Sequence, residues 1–476
     1  LQSNSEHSLK PGEAPQVLSG ADSLFLDIET PECSMNVALL LILARGDEAA
    51  LEQRIRDIIN EDSVLMRRLQ KKIRPATLSF NFPAWIHDDD FDPDRHLQIH
   101  HLNAASDSRE FNQFVADLVQ LPLSRSKPLW EVHLIRGLQD GETAVIGKVH
   151  HALADGVTGI QMVLSLAGIN SARVRQLEEA GSDAGSETLA AKPVQLNLAK
   201  RLLFSFLGKL AQHLFFLNKF YLQRRLTNPY TAPVTRFNGM LCASRSYTHG
   251  QLPLDRIRDI CAAQDCSRNE VFLAVISGAL RQYLLEHDEL PDRSLYTGLP
   301  MAIIGDEKRP GSANQLTFYR SSLATTVEDP VKRLATIKSR LHRSANRARE
   351  KWNRRLLERM TLLPPTTIRS LASMYMKMLS RNMVRPNANI ISTLIPGPGR
   401  TAHISGREVV GMHPVSVNHH GGGLFISAVR YRSDLHFGII ADQKQLPDPD
   451  HFADLMQEAL TELYQLSKKK PGPCSS

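Results

Sequence analysis

Apolar positions along the chain fall into two recurring patterns. Short runs rich in branched side chains, such as Asn36 to Leu43 (NVALLLIL) and Ala144 to Val149 (AVIGKV), predict buried strands. Longer stretches predict helices, as from Glu48 to Leu69, where Ile55, Ile58, Ile59 and Leu65 recur at helical spacing. Val17 to Thr30 reads as a turn followed by an ordered apolar segment, Phe80 to Ile86 and His96 to Leu102 as extended, and Phe111 to Leu121 as a helix. Glu131 to Arg136 alternates as a strand, and the turn from Gly137 to Glu142 returns it to Ala144, making a hairpin. Trp130, at the start of that hairpin, reads as a core anchor.

From Ser171 to Leu196 the apolar pattern lapses and Gly, Ser, Ala and Glu take over, the composition of an interdomain linker. The second half then resumes the alternation. Helices are predicted at Leu254 to Gln264, Ser267 to His287 and His451 to Leu466, and strands at Leu295 to Ile304, Asn389 to Leu394, Leu424 to Tyr431 and Leu435 to Ala441. Both halves read as mixed α/β units. The expected division is a disordered start (1–15), a first domain (16–180), a linker with a basic amphipathic helix (181–235), a second domain (236–467) and a Lys-rich tail (468–476).

Composition narrows the class. At 476 residues, 42% hydrophobic and 22% charged, the chain is that of a globular protein with more than one core. Five cysteines without a CxxC spacing favour a reducing compartment over a disulfide framework or a zinc site. The polar opening LQSNSEHSLKPGEAP lacks a secretory signal pattern, and the absent initiator Met suggests trimming or an engineered start. A formal charge of +7 favours anionic partners. Nucleic acid is disfavoured by 6% aromatics and the absence of RNP, KH or finger patterns, which leaves a phosphate-bearing cosubstrate or a lipid surface. Leu198 to Leu226, interrupted by Lys200, Arg201, Lys209, Lys219, Arg224 and Arg225, is too polar for a membrane span and reads as an interfacial amphipathic helix or a packed one.

The candidate chemistry lies where the hairpin's second strand ends. His150 and His151 are followed by Asp155 and Gly156, and then by the apolar stretch Val157 to Ala167. Adjacent histidines in extended backbone point to opposite faces, so one of them can serve a cleft. An imidazole titrating near neutrality can take a proton from a hydroxyl, and a carboxylate four residues on can orient the ring or hold the turn. The pairs His100-His101 and His419-His420 lack an Asp-Gly at that offset. No HExxH, Walker A or G-x-S-x-G pattern is present. GPGRTA (397–402) fits a dinucleotide fingerprint in letters but not in context, and Gly421 to Gly423 read as a surface turn in preference to a close backbone approach. With no persuasive nucleophile, direct transfer by a general base is favoured over a covalent intermediate.

HHALADG (150–156) resembles the HHxxxDG signature of the bacterial wax ester synthase/acyl-CoA:diacylglycerol acyltransferases, within the wider superfamily of CoA-dependent acyltransferases. The likeness runs from roughly residue 16 to 466. It includes LSGADSLFLDIETPECSMNVALLLIL from Leu18, PLW at Pro128, NEVFLAVISGALRQYL from Asn269, IPGP from Ile395, HPVS from His413 and DLHFGIIADQKQLPDPD from Asp434. Glu270 and Leu394 depart from the family pattern, which usually has Asp and Asn there. The resemblance implies an α/β fold of two chloramphenicol-acetyltransferase-like domains with mixed sheets and an active-site tunnel between them. It implies acyl transfer from acyl-CoA, as cosubstrate and with no further cofactor or metal, to a fatty alcohol or diacylglycerol. It makes His151 the general base, His150 an assistant or structural residue, Asp155 the orienter of the loop, Gly156 its turn and Asn269 a candidate oxyanion donor. A cytoplasmic protein peripherally bound to the inner membrane or lipid inclusions is expected. The alternatives are another alcohol acceptor or an inactive lipid-binding protein.

Overall fold

The residues described in the computed structural model are 15–61, 63–76, 82–103, 107–153, 163–164, 232–302, 316–349, 365–398 and 401–468. The chain runs through β1 (Gln16–Val17), α1 (Gly20–Ile28), β2 (Asn36–Leu43), α2 (Glu48–Asn60), α3 (Val64–Leu69), β3 (Lys71–Arg74), β4 (Ala84–His87), β5 (Leu97–His101), α4 (Ser108–Gln120), β6 (Trp130–Arg136) and β7 (Thr143–His150). It continues through β8 (Arg245–Pro253), α5 (Leu254–Gln264), α6 (Arg268–Glu286), β9 (Tyr296–Ala302), β10 (Leu316–Ser322), α7 (Pro330–Arg349) and α8 (Pro365–Ser380). The remaining elements are β11 (Ile390–Ile395), β12 (His403–Ile404), β13 (Arg407–Val415), β14 (Leu424–Tyr431), β15 (Asp434–Asp442) and α9 (Pro449–Lys468).

Two six-stranded sheets carry these elements, in the orders β12-β13-β2-β7-β6-β5 and β10-β9-β11-β14-β15-β8, and a small sheet has the order β1-β4-β3. Both large sheets are mixed: β5 runs parallel to β6 and β11 parallel to β9 and β14, while the other pairs are antiparallel. The first sheet contains strands from both ends of the chain. β13 pairs with β2, joining Val415 to Ala38 and Val409 to Leu43. Its neighbour β14 belongs to the second sheet, so one connection ties the two halves together.

Each large sheet buries its two faces differently. Odd-numbered residues of β2 and β7, such as Leu39, Leu41 and Val145, join Ile55 and Ile59 of α2 and the indole of Trp130 in one core. The even-numbered set, Ala38, Leu40, Ala144 and Ile146, meets Val115 and Leu118 of α4 together with Tyr247, Phe425 and Ile440 of the second sheet. Helix α4 therefore sits between the sheets. The outer face of the second sheet is covered by α5, α6, α7 and α9. Trp130 is fully buried and donates its indole N–H to the Leu69 carbonyl at 2.7 Å, as a core anchor does. Trp130→Ala is expected to cost about 3–5 kcal/mol of stability, read by denaturant unfolding.

Three expectations change. The stretch from Glu48 to Leu69 is two helices, because Glu61 ends α2 in extended backbone and the Ser63 hydroxyl accepts from the Met66 amide to start α3. The triple glycine is a close approach between backbones and not a surface turn. All three residues are buried, Gly421 and Gly423 donate to the carbonyls of Gly239 and Phe237, and a Cβ at Gly423 would lie 1.9 Å from Gln445 Oε1. Strands β8 and β13 are absent from the apolar reading because the sheets meet there through polar side chains. The Arg245 guanidinium donates to the carbonyls of Cys242 and Glu32 and lies 3.7 Å from Asp442. The segments 1–14, 165–231 and 469–476, which include the expected basic helix and the expected linker up to residue 231, lie outside the described residues.

The same seam holds three histidines. The rings of His249 and His413 are 4.4 Å apart and those of His413 and His436 5.0 Å apart. Burial lowers all three from the ordinary imidazole value, His249 and His436 to about 4, against the opposing pull of Asp450 and Asp434. Between pH 4 and 6.5 the unfolded chain therefore binds protons that the folded chain refuses. The stability present above pH 6.5 falls as pH drops through that window, by about 1.4 kcal/mol per pH unit for each such histidine. Thermal unfolding between pH 7 and 5 checks this, and His436→Gln should flatten the slope.

Candidate active site

Strand β7 delivers its last residue, His150, opposite Asn36 of β2 at the open end of the hairpin. The register is fixed on both sides. The His150 amide donates to the Leu129 carbonyl at 3.0 Å, and the His151 amide donates to the Met35 carbonyl at 2.8 Å. Asn36 adds a tie to the end of α4, donating to Leu121 O at 2.9 Å and Ser34 Oγ at 2.6 Å. A tight turn follows, closed by the Leu153 amide on the His150 carbonyl at 2.9 Å.

The two imidazoles are held in different ways. His150 is buried, its Nδ1 accepting from the Ala152 amide at 3.0 Å. An acceptor at Nδ1 places the ring proton on Nε2, which faces Glu29 Oε1 at 3.3 Å. That contact is electrostatic more than a linear hydrogen bond, since no well-aligned acceptor meets Nε2. His151 is 8% exposed, and its ring stacks on Phe25 of α1 with centroids 4.1 Å apart and planes 10° from parallel. His150 thus holds the turn through Nδ1 and faces Glu29 with Nε2, while the His151 ring packs on Phe25.

Glu29 went unseen in the sequence reading. It follows α1 directly, and its carboxylate collects His150, the Met35 amide at 3.2 Å and Arg125 Nη2 at 2.9 Å. Burial pushes this carboxyl up, but His150, Arg125 and the Met35 amide outweigh it and hold it at about 2. The group is charged throughout the physiological range. A second buried network lies on the same face of the sheet. Lys148 Nζ donates to the Leu118 carbonyl of α4 at 3.0 Å and lies 3.7 Å from Glu131, which also pairs with Lys127 at 3.0 Å and His133 at 3.5 Å. Burial lowers the Lys148 ammonium to about 8 against the pull of Glu131. This network clamps α4 to β6 and β7 just behind the histidines.

Of the residues singled out in the sequence, His150 and His151 come together at this turn. Asp155 and Gly156 lie outside the described residues, as does all of Val157 to Ala167 except 163–164. Asn269 is half-buried in the first turn of α6. Its neighbour Glu270 completes a capping box there, taking the Ser267 amide at 2.7 Å, and pairs with His342 at 3.0 Å. The departure at Glu270 thus has a helix-capping role. Among the described residues no group of three or more His, Cys, Asp or Glu is arranged to hold a metal ion.

Two mixed sheets sharing a chain crossing, with a histidine pair where a strand ends at their junction, define a two-domain α/β protein of the chloramphenicol-acetyltransferase-like type. The fold is that of a wax ester synthase/diacylglycerol acyltransferase from Marinobacter aquaeolei VT8, with a TM-score of 0.68 at 23% identity, covering 95% of this chain and 99% of that one. The first condensation domain of the calcium-dependent antibiotic synthetase shares it with a TM-score of 0.54 at 16% identity, covering 96% of this chain and 97% of that one. The chain belongs to the wax ester synthase/diacylglycerol acyltransferase family, whose catalytic-domain model matches residues 18–272 and whose C-terminal-domain model matches 312–464. An Acinetobacter baylyi relative named O-acyltransferase WSD is 27% identical over 468 residues, covering 93% of this chain and 94% of the relative.

Proposed function

We propose that this protein transfers a long-chain acyl group from acyl-CoA to the hydroxyl of a fatty alcohol or of diacylglycerol, giving wax ester or triacylglycerol, with His151 as the general base. Membership of the family supports the reaction class. The observation that supports His151 as the base is its position directly after β7, stacked on Phe25, next to a His150 whose Nδ1 accepts from the Ala152 amide and whose Nε2 faces Glu29.

The steps balance without an added reactant. The His151 imidazole takes the acceptor's hydroxyl proton as that oxygen bonds to the thioester carbonyl carbon. The tetrahedral intermediate collapses, the carbon–sulfur bond breaks, and the leaving CoA thiolate takes the proton back from the imidazolium. Acyl transfer is direct and forms no acyl-enzyme. Peripheral contact with a lipid surface belongs to the same reading, since both acceptors live in lipid and the net charge is +7. No helix among the described residues is long and apolar enough to cross a membrane.

The test is thiol release from palmitoyl-CoA with hexadecanol or diolein, with the ester product identified. Acceptor-dependent release with matching ester is expected. Release supported only by a different alcohol would move the acceptor assignment, and no release with any alcohol would contradict the reading.

A further inference from the structure

Seven large apolar side chains are well exposed among the described residues, and four of them, Val234, Met240, Phe318 and Met383, lie along one strip. Three chain segments build it. The Ala232 amide donates to the Pro386 carbonyl, and Asn389 donates to the Pro233 carbonyl at 2.6 Å, which lays the segment carrying Val234 along 386–389. A Cβ at Gly239 would sit 3.4 Å from Asn382, so Met240 adjoins the turn that carries Met383. Arg320, on the same face of edge strand β10 as Phe318, donates to the Asn387 carbonyl at 3.2 Å.

The charge of the strip is mainly cationic, with Glu289 meeting Arg236 at 2.9 Å. Segments 232–241, 316–322 and 377–389 contain no Asp or Glu but do contain Arg236, Arg320, Lys377, Arg381 and Arg385. The last three are exposed. Scattered single apolar residues need no explanation, but exposed apolar side chains gathered among cations mark an interaction surface. The strip also lies close to the histidines. Leu241, next to Met240, is buried against Met35, whose carbonyl takes the His151 amide. Helix α8, which ends at Ser380, packs along α1, and α1 supplies the Phe25 ring stacked on His151.

We propose that this strip is a docking surface for an anionic lipid interface, with Met240, Met383, Val234 and Phe318 entering the headgroup–acyl boundary and Lys377, Arg381 and Arg385 meeting lipid phosphates. The inference rests on the acyltransfer reading for its purpose: the hydroxyl of diacylglycerol lies at headgroup depth, so docking here brings the acceptor beside the base. Methionines suit such contact because their unbranched, polarisable side chains adapt to a fluid surface. Basic residues near an anionic surface add attraction that salt screens.

The test is flotation of the full chain with phosphatidylcholine vesicles, with and without phosphatidylglycerol, for wild type, Met240→Asp/Met383→Asp and Arg381→Glu/Arg385→Glu. Wild type is expected to float with the anionic vesicles at low salt and to detach as salt rises. Each double variant should lose partitioning by about tenfold or more while unfolding as cooperatively as wild type. Acyl transfer to vesicle-borne diolein should fall in parallel, with turnover of a dissolved short-chain alcohol as the control for an intact site. Variants that float like wild type would overturn this surface and leave the membrane reading standing. Wild type that binds neither vesicle would overturn both. Variants that dissociate a wild-type dimer, with vesicle binding unchanged, would make the strip a contact between copies and overturn the lipid assignment.

Discussion

His151→Ala is expected to lower kcat for acyl transfer by about a thousandfold, within the range contributed by a positioned general base. Ordinary alcohols hold their protons far above neutral pH, so attack on the thioester needs the proton removed as the bond forms. Among the described residues at the end of β7, the other two ionisable groups are already committed. His150 spends Nδ1 on the Ala152 amide and turns Nε2 to Glu29, and Glu29 is already surrounded by His150, Arg125 and the Met35 amide. The loss should fall on kcat with KM for acyl-CoA little changed, the pattern of an interaction made in the transition state. It should also abolish the acidic limb of the pH–rate profile, because that limb reports protonation of the base. His150→Ala should act chiefly through the turn, with a smaller loss of rate and a clear loss of stability.

Glu29→Ala should give the second largest effect, a fall in kcat of about tenfold to a hundredfold together with about 1–3 kcal/mol of lost stability. The carboxylate binds three donors from three parts of the chain, the His150 ring, the Arg125 guanidinium and the Met35 amide. Removing it leaves the buried His150 Nε2 and Met35 amide without their carboxylate and loosens the turn that carries His151, while the exposed Arg125 keeps the Leu26 carbonyl. Glu29 acts as a positioning residue. Glu29→Gln keeps an acceptor oxygen and should recover part of the rate, whereas a purely steric role would be rescued equally by Glu29→Met. The sign of the acid response follows from a carboxyl held at about 2, below its ordinary value near 4.5. Its contribution to stability is complete above pH 4.5 and is lost as pH falls towards 2. Any loss of rate between pH 7 and 5 therefore belongs to histidine and not to Glu29.

What was legible in the sequence were the elements whose apolar period decides burial. β2, β14 and the helices α5 and α6 fall within a residue or two of their expected limits, because branched runs or helical stripes specify their faces. The histidine turn was legible too, from a strand running directly into HHALADG. What was not legible depends on partners distant in the chain. β8 and β13 are buried with Arg245, Thr248 and His413 inside, so alternation could not mark them. β13 becomes a strand of the first sheet only when β2 is there to receive it. Glu29 looks like any exposed carboxylate at the end of a helix until folding brings His150 and Arg125 to it. The glycines at 421–423 read as a loose turn because the neighbour that forbids a Cβ, Gln445, arrives from beyond β15.

The most direct measurement is the stoichiometry of thiol released when the enzyme, at a concentration comparable to palmitoyl-CoA, is mixed and quenched with and without hexadecanol. The account predicts no burst without the alcohol, one thiol per ester formed when it is present, and neither thiol nor ester above background from His151→Ala. An equivalent of thiol released before any acceptor is added would reveal an acyl-enzyme and contradict direct transfer. Undiminished ester formation by His151→Ala would remove the base on which the mechanism rests.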